Sequence, residues 1–158
     1  MTQRSVTHST FVLERVYAAP PARVFAAWAD PAVKAQWFGG GPEEWESGEH
    51  TLDFRVGGRE SSAGTIEGGP SYTYDALYQD IVQDERIVST YDMTLNGERI
   101  SVSVATVEFA PEGSGTRLTL TEQGVFLDGL DKVEDREHGT RELLDKLGTV
   151  LAGETVNA

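Results

Sequence analysis

Near the end of the chain, five large apolar residues fall on one side of a helix. Leu143, Leu144, Leu147, Val150 and Leu151 recur at the spacing of a single stripe wound at 3.6 residues per turn. Glu142, Asp145, Lys146 and Thr149 occupy the opposite side. Thr140 continues the stripe backwards, and Gly153 supplies a stop. The spacing therefore predicts a helix over residues 136–152. Burying each large side chain of such a stripe is worth roughly 1.5–3 kcal/mol, so this helix requires a surface to lie against. Most of the chain before it reads as strand. The order of elements predicts an α+β fold in which a curved antiparallel sheet of about seven strands wraps around the terminal helix.

Residues 1–7 are polar and expected to fray. Residues 11–17 form a strand with Phe11, Leu13 and Tyr17 in one phase and Val12 and Val16 in the other. Pro20-Pro21 then opens a short helix carrying Val24, Phe25 and Trp28. Asp30-Pro31 ends it, and Asp30 can cap a second short helix over 32–38 with Val33 and Trp37. A glycine-rich link at 39–42 and an acidic loop at 43–50 follow.

From Thr51 the pattern is β. Leu52, Phe54 and Val56 alternate with Asp53 and Arg55, whose shared phase reads as a structural ion pair. Residues 59–67 are rich in Ser and Gly and read as an edge strand, and residues 72–82 as a strand with Tyr72, Tyr74 and Tyr78 in one phase. Asn96-Gly97 predicts a two-residue type I′ hairpin. That register sets Leu95 opposite Glu98, Met93 opposite Ile100, Tyr91 opposite Val102, and Ser89 opposite Val104. It sends Thr90, Asp92, Thr94, Arg99, Ser101 and Ser103 to solvent. Val107 and Phe109 break the phase after Val104, which predicts a bulge there. The last strand, 116–123, would turn Leu118, Leu120 and Glu122 inward.

With 158 residues, one domain over 1–158 is expected. A formal net charge of −13 argues against nucleic acid and against anionic membrane surfaces. There is no cysteine, hence no disulfide or thiol chemistry. No apolar run reaches the length of a membrane span and the start lacks a secretory segment, so a cytoplasmic location is expected.

Several residues resemble a known family. Arg15, Ala19-Pro20, Val24, Trp28, Asp30-Pro31 and Trp37 resemble the opening of the superfamily of birch-pollen allergen-like and lipid-transfer (START) domains. More narrowly, Asp53-Phe54-Arg55-Val56-Gly57-Gly58 resembles the D-x-R-x-G-G signature of the branch related to the activator of Hsp90 ATPase. Glu85-Arg86-Ile87, residues 115–118, and Gly139 with Leu144 and Leu147 fall where that branch has its other marks. The likeness runs from about Phe11 to Leu151. It implies the helix-grip fold and an internal pocket for small apolar or amphipathic molecules, and no single activity. Two positions depart from the branch: Thr140 stands where Trp is common, and Glu122 where the last strand often carries His. A smaller side chain at 140 leaves room between helix and sheet.

The aromatic candidates for ligand contact are Trp28, Trp37, Phe54, Tyr74, Tyr78 and Tyr91. The sheet adds Met93, Val102, Leu120 and Glu122, and the helix adds Thr140, Leu143 and Leu147. Glu122 shares the inward phase of Leu118 and Leu120 and reads either as a polar anchor or general acid/base for a ligand, or as a structural residue that faces water on a bulged strand end or pairs with an Arg. The portal would come from the 37–42 link and the loop before the last helix. His8, His50 and His138 are scattered without metal-ligand spacing, no serine sits in a nucleophile elbow, and no glycine loop cradles a phosphate. No cofactor, metal or catalytic residue is assigned. The first expectation is a non-catalytic binder of a small apolar molecule. A cyclase- or dehydratase-like enzyme using the same pocket stands second, and a chaperone-ATPase interaction module third; a homodimer is left open.

Overall fold

The computed structural model describes residues 3–38, 45–66 and 69–153. Strand β1 (Val6–Tyr17) leads into helices α1 (Pro21–Ala29) and α2 (Pro31–Lys34). Six more strands follow: β2 (Trp45–Leu52), β3 (Arg59–Ile66), β4 (Ser71–Val82), β5 (Arg86–Leu95), β6 (Glu98–Glu112) and β7 (Gly115–Leu127). Helix α3 (Val133–Leu151) ends the described chain. The strands form one antiparallel sheet in the order β1-β7-β6-β5-β4-β3-β2. Helix α3 lies against it beside α1, in the helix-grip arrangement.

The stripe on α3 drives this packing. Leu144, Leu147 and Leu151 are buried, with Leu143 and Val150 at the margin of the same cluster. They meet Phe11, Leu13 and Tyr17 of β1, Leu118 and Leu120 of β7, and Val24, Phe25 and Trp28 of α1. Tyr17 fastens helix to strand, its hydroxyl donating to the Leu144 carbonyl at 2.8 Å. Gly148 permits this approach, since a Cβ there would stand 3.3 Å from the Tyr17 ring. The alternate residues Val12 and Val16 face outward and are exposed. Asp30 caps α2 by accepting from the Ala32 amide at 2.9 Å, and Gly153, with φ +79°, follows the end of α3.

Several boundaries differ from the sequence reading. β1 begins at Val6, because Asp128 accepts from the Ser5 amide and from Arg4 and holds the start of the strand in place. β2 starts inside the acidic segment expected to be a loop, and β2, not β3, forms the edge of the sheet. Phe54 and Val56 therefore lie in the turn between β2 and β3, outside any strand. Gly57 takes the left-handed conformation there (φ +84°), and a Cβ on Gly58 would collide with the Asp53 carbonyl at 2.1 Å. The Asp53–Arg55 pair, at 2.9 Å, closes this turn and is solvent-facing. The glycine link at 39–42 and Glu43 and Glu44 lie outside the described residues.

The Asn96-Gly97 turn has the positive φ values of a type I′ hairpin and pairs Leu95 with Glu98. The register then shifts. Thr94 pairs with Arg99 but Met93 pairs with Ser101, so Ile100 is an extra residue in β6. The bulge sits next to the turn, not after Val104. From there the faces are reversed: Tyr91 lies opposite Ser103, Ser101 and Ser103 are buried, and Val102 points outward with 44% of its surface exposed. Val107 and Phe109 then continue the inward phase of Ser101 and Ser103 without a further break.

Truncating Leu147, fully buried where α3 meets the sheet, leaves a cavity. Leu147→Ala should lower unfolding free energy by about 2–5 kcal/mol in denaturant titration. Val12→Ala on the outer face should change it by less than about 0.5 kcal/mol.

Candidate functional site

The reversed phase of β6 makes one end of the helix–sheet interior polar. Ser101 and Ser103 replace the valines expected there, and Arg136, in the first turn of α3, reaches down to Ser101, while the buried Ser103 hydroxyl has no hydrogen-bond partner among the described residues. Its Nη2 donates to Ser101 Oγ and to Asp131 Oδ2, both at 2.8 Å. Its Nη1 donates to the Tyr91 hydroxyl at 3.1 Å. Tyr91 in turn donates to Glu122 Oε1 at 2.8 Å. The guanidinium also covers the Phe126 ring, 5.0 Å from its centroid. These contacts fix Arg136 on both of its terminal nitrogens.

Glu122 is buried on the concave side of β7, at 5% exposure. Its Oε1 is used by Tyr91, but its Oε2 is buried with no hydrogen-bond donor. The nearest cation, Arg136 Nη1, stands 3.9 Å away, beyond hydrogen-bond length. Burial pushes the Glu122 carboxyl above the usual carboxylate range; the Tyr91 hydrogen bond and the Arg136 charge pull it back only in part.

A second buried carboxylate lies on β3. Glu60 Oε1 accepts from Lys34 Nζ at 2.6 Å and from the Tyr78 hydroxyl at 2.9 Å. Its Oε2 bonds His50 Nε2 at 2.7 Å. Burial alone would raise Glu60, but the Lys34 ammonium and the hydrogen bonds from His50, Lys34 and Tyr78 outweigh it and hold the carboxyl below its ordinary range. Lys34 is itself sheltered by rings, with Nζ 4.5 Å from the centre of Phe38 and 5.4 Å from that of Trp28. The turn at 53–58 sets this cluster: the Gly57 amide bonds the Tyr78 carbonyl and the Tyr78 amide the Gly58 carbonyl, which brings Glu60 and Tyr78 onto one face.

Tyr74 stands between the two carboxylates. Its ring meets Tyr91 at 4.7 Å and Phe38 at 5.1 Å. Its hydroxyl is driven well above the usual tyrosine range, first by burial and then by the charges of Glu60, of the neighbouring tyrosines and of Glu122. The ring nonetheless keeps some accessible surface, as do Met93 across from it and Thr140 and Leu143 on α3. Of the sequence candidates, Glu122 and Tyr91 are bonded at this polar end, Tyr74 stacks on Tyr91 with Met93 across from it, and Thr140 donates to the Arg136 carbonyl, while Leu143 packs against the apolar core. Trp28, Trp37, Tyr78, Leu120 and Leu147 belong to the continuous core, and Phe54 packs against it. Val102 is excluded from the interior by the Ile100 bulge.

Lys34, Glu60, Arg136 and Ser101 were not among the sequence candidates. Lys34 precedes Trp37 by three residues and Phe38 by four, so helical spacing carried a signal that its charge obscured. Among the described residues no group of three or more His, Asp or Glu is placed to hold a metal ion, and no helix is long and apolar enough to cross a membrane. Two surface depressions lie away from these side chains. One, about 480 Å³, runs between the end of β1 and α3 beside Arg15 and Asp145. The other, about 500 Å³, lies on the outer face along His8, Val102 and Val125.

The model of the family described as activator of Hsp90 ATPase homolog 1-like protein matches residues 18–152. A solved structure of an uncharacterized protein from Rhizobium leguminosarum is 45% identical and superposes with a TM-score of 0.91, over 97% of this chain and 100% of that one. A protein from Rhizobium loti is 49% identical, with a TM-score of 0.85 over 92% of this chain and 98% of its own. One from Chromobacterium violaceum is 26% identical, with a TM-score of 0.75 over 90% and 96%. No curated protein matches the chain.

Removing one member of the buried ion pair strands the other. Glu60→Leu should cost about 3–5 kcal/mol, and Lys34→Met combined with Glu60→Leu should recover most of it in denaturant titration. The two carboxylates should also respond to pH with opposite sign. Glu60 is lowered on folding, so its contribution is complete above about pH 4.3 and fades as pH falls through its folded value. Glu122 is raised, so its contribution is complete in acid and declines as pH rises through its folded value. In Tm profiles, wild type should lose its advantage over Glu60→Gln towards acid and lose ground to Glu122→Gln towards neutral pH.

Proposed function

Because this chain belongs to the activator of Hsp90 ATPase homolog 1-like family of helix-grip domains, we propose that it binds a small apolar or amphipathic molecule between the sheet and α3. Glu122 and Arg136 are the polar anchor, and Tyr74, Tyr91, Met93, Thr140 and Leu143 form the wall. One observation carries this reading: Glu122 Oε2 is a buried acceptor without a donor. Leaving such an oxygen unpaired costs about 1–3 kcal/mol, and more for a charged group, so a site that retains one is suited to a partner from outside. The amphipathic character of the ligand follows from the surroundings, with rings on one side of the carboxylate and a guanidinium on the other.

A second reading, acid–base catalysis in the same pocket, is favoured by the opposed displacements of Glu60 and Glu122. Two carboxylates pushed apart in pKa are the usual requirement for separate acid and base roles. The Tyr91 hydroxyl on Glu122 would carry the proton. Binding is the more economical reading, because Glu60 already has partners on both oxygens.

The size of residue 140 tests the binding reading. N-phenyl-1-naphthylamine should bind the wild-type protein with a rise in fluorescence and raise its Tm by linkage. Thr140→Trp, which fills the helix–sheet space, should remove both effects while keeping the circular dichroism spectrum of the wild type. Undiminished probe binding in Thr140→Trp would place any ligand elsewhere.

A further inference from the structure

The two oxygens of Glu122 have unequal surroundings, and the difference identifies a ligand chemistry. At Oε1 the protein supplies its own hydroxyl: Tyr91 donates to the carboxylate at 2.8 Å and accepts from Arg136 Nη1 at 3.1 Å. One O–H group satisfies an acceptor and a donor at once. At Oε2 the same carboxylate and the same Nη1 face each other at 3.9 Å, and no donor stands on the oxygen. Nη2 is committed to Ser101 and Asp131 and cannot turn to fill the position.

Building on the binding reading above, we propose that the ligand is a neutral hydroxyl compound, an alcohol or phenol, whose O–H donates to Glu122 Oε2 and whose oxygen accepts from Arg136 Nη1. It repeats at Oε2 the arrangement that Tyr91 holds at Oε1. The alternatives fit less well. A carboxylate would set an anion against Glu122 in a desolvated site, and an ammonium would meet the Arg136 charge while offering it no lone pair. A purely apolar molecule would leave Oε2 unpaired. A hydroxyl donates and accepts at a single atom, which suits the 3.9 Å between Oε2 and Nη1, and adds no charge. Tyr74 and Tyr91, tilted against each other at 4.7 Å, present ring surface next to the carboxylate for the apolar body of such a molecule.

Four probes sharing one ring system separate these cases: 1-naphthol, naphthalene, 1-naphthoate and 1-naphthylmethylamine, measured by equilibrium dialysis at neutral pH. Wild-type protein should bind 1-naphthol about tenfold more tightly than naphthalene, and more tightly than either charged analogue. Glu122→Met should bring 1-naphthol to the naphthalene level while leaving naphthalene affinity within about twofold, which also reports that the pocket is intact. Tyr91→Phe, which removes the internal hydroxyl but keeps Oε2 available, should retain the preference for 1-naphthol. Equal affinity for naphthalene and 1-naphthol would overturn the assignment. So would 1-naphthoate or the amine as the best ligand, or a 1-naphthol preference that survives Glu122→Met. If Glu122→Met does not fold, the four wild-type affinities decide the matter by themselves. Failure of all four compounds to bind would overturn the binding reading too, which separates that outcome from an error in the hydroxyl assignment alone.

Discussion

A single unpaired residue in β6, Ile100, governs what the sheet offers to the helix. Without it, hydrogen-bonded register from the Asn96-Gly97 turn would carry Val102 and Val104 inward and give β6 an apolar inner face throughout. With it, every residue of β6 beyond the bulge changes face, and Ser101 and Ser103 come inside. A strand period of two makes this an all-or-none exchange. Ser101 matters because it gives Arg136 a buried partner on the inner face of the sheet. A guanidinium there without acceptors would be too costly to bury. Arg136 in turn orients Tyr91, and Tyr91 occupies one oxygen of Glu122. The polar end of the interior is thus a chain of consequences from one backbone irregularity.

Among the described residues the interior holds two buried carboxylates, Glu60 and Glu122, in a protein whose net charge is already −13, and it treats them differently. Glu60 has donors on both oxygens and a lysine sealed against it by Phe38 and Trp28. Such a cluster is closed, because each charge is compensated and little is left to offer a visitor. Glu122 is compensated at one oxygen and at a distance. Its environment is that of an incomplete polar network, which is where a binding or reacting group finds its place. Tyr74, between them, feels both. One carboxylate is thus part of a complete polar cluster and the other of an incomplete one, on the inner face of the same sheet.

The parts of the structure legible in the sequence are those written in apolar periodicity or obligatory turn chemistry. The α3 stripe, the Phe11–Leu13–Tyr17 phase, the Asp30 cap and the Asn96-Gly97 turn all belong to this class. The features that escaped are those in which polar residues sit inside. β3 has Glu60, Ser62 and Gly64 on its buried side, so alternation gave no hydrophobic phase and the strand read as an edge. Lys34 is buried although a lysine's charge ordinarily marks a solvent position. The bulge left a trace, the disagreement between the turn register and the Val107–Phe109 phase, but nothing in the side chains located it among the intervening residues. Glu122 was recognisable as inward because two leucines precede it in phase; that one of its oxygens stays unpaired depends on Tyr91 and Arg136, elements distant in sequence.

Helix α3 is fastened unequally along its length. Its second half is locked to β1, where Tyr17 holds the Leu144 carbonyl and fits the gap left by Gly148. Its first turns rest on Arg136 and on half-buried Thr140 and Leu143, with Lys132 at the N-cap position offering no side-chain bond. Backbone amides in those first turns will therefore exchange their hydrogens with solvent before those around Leu147 do. If the proposed ligand binds, its way to Glu122 leads past this less tightly packed end of the helix.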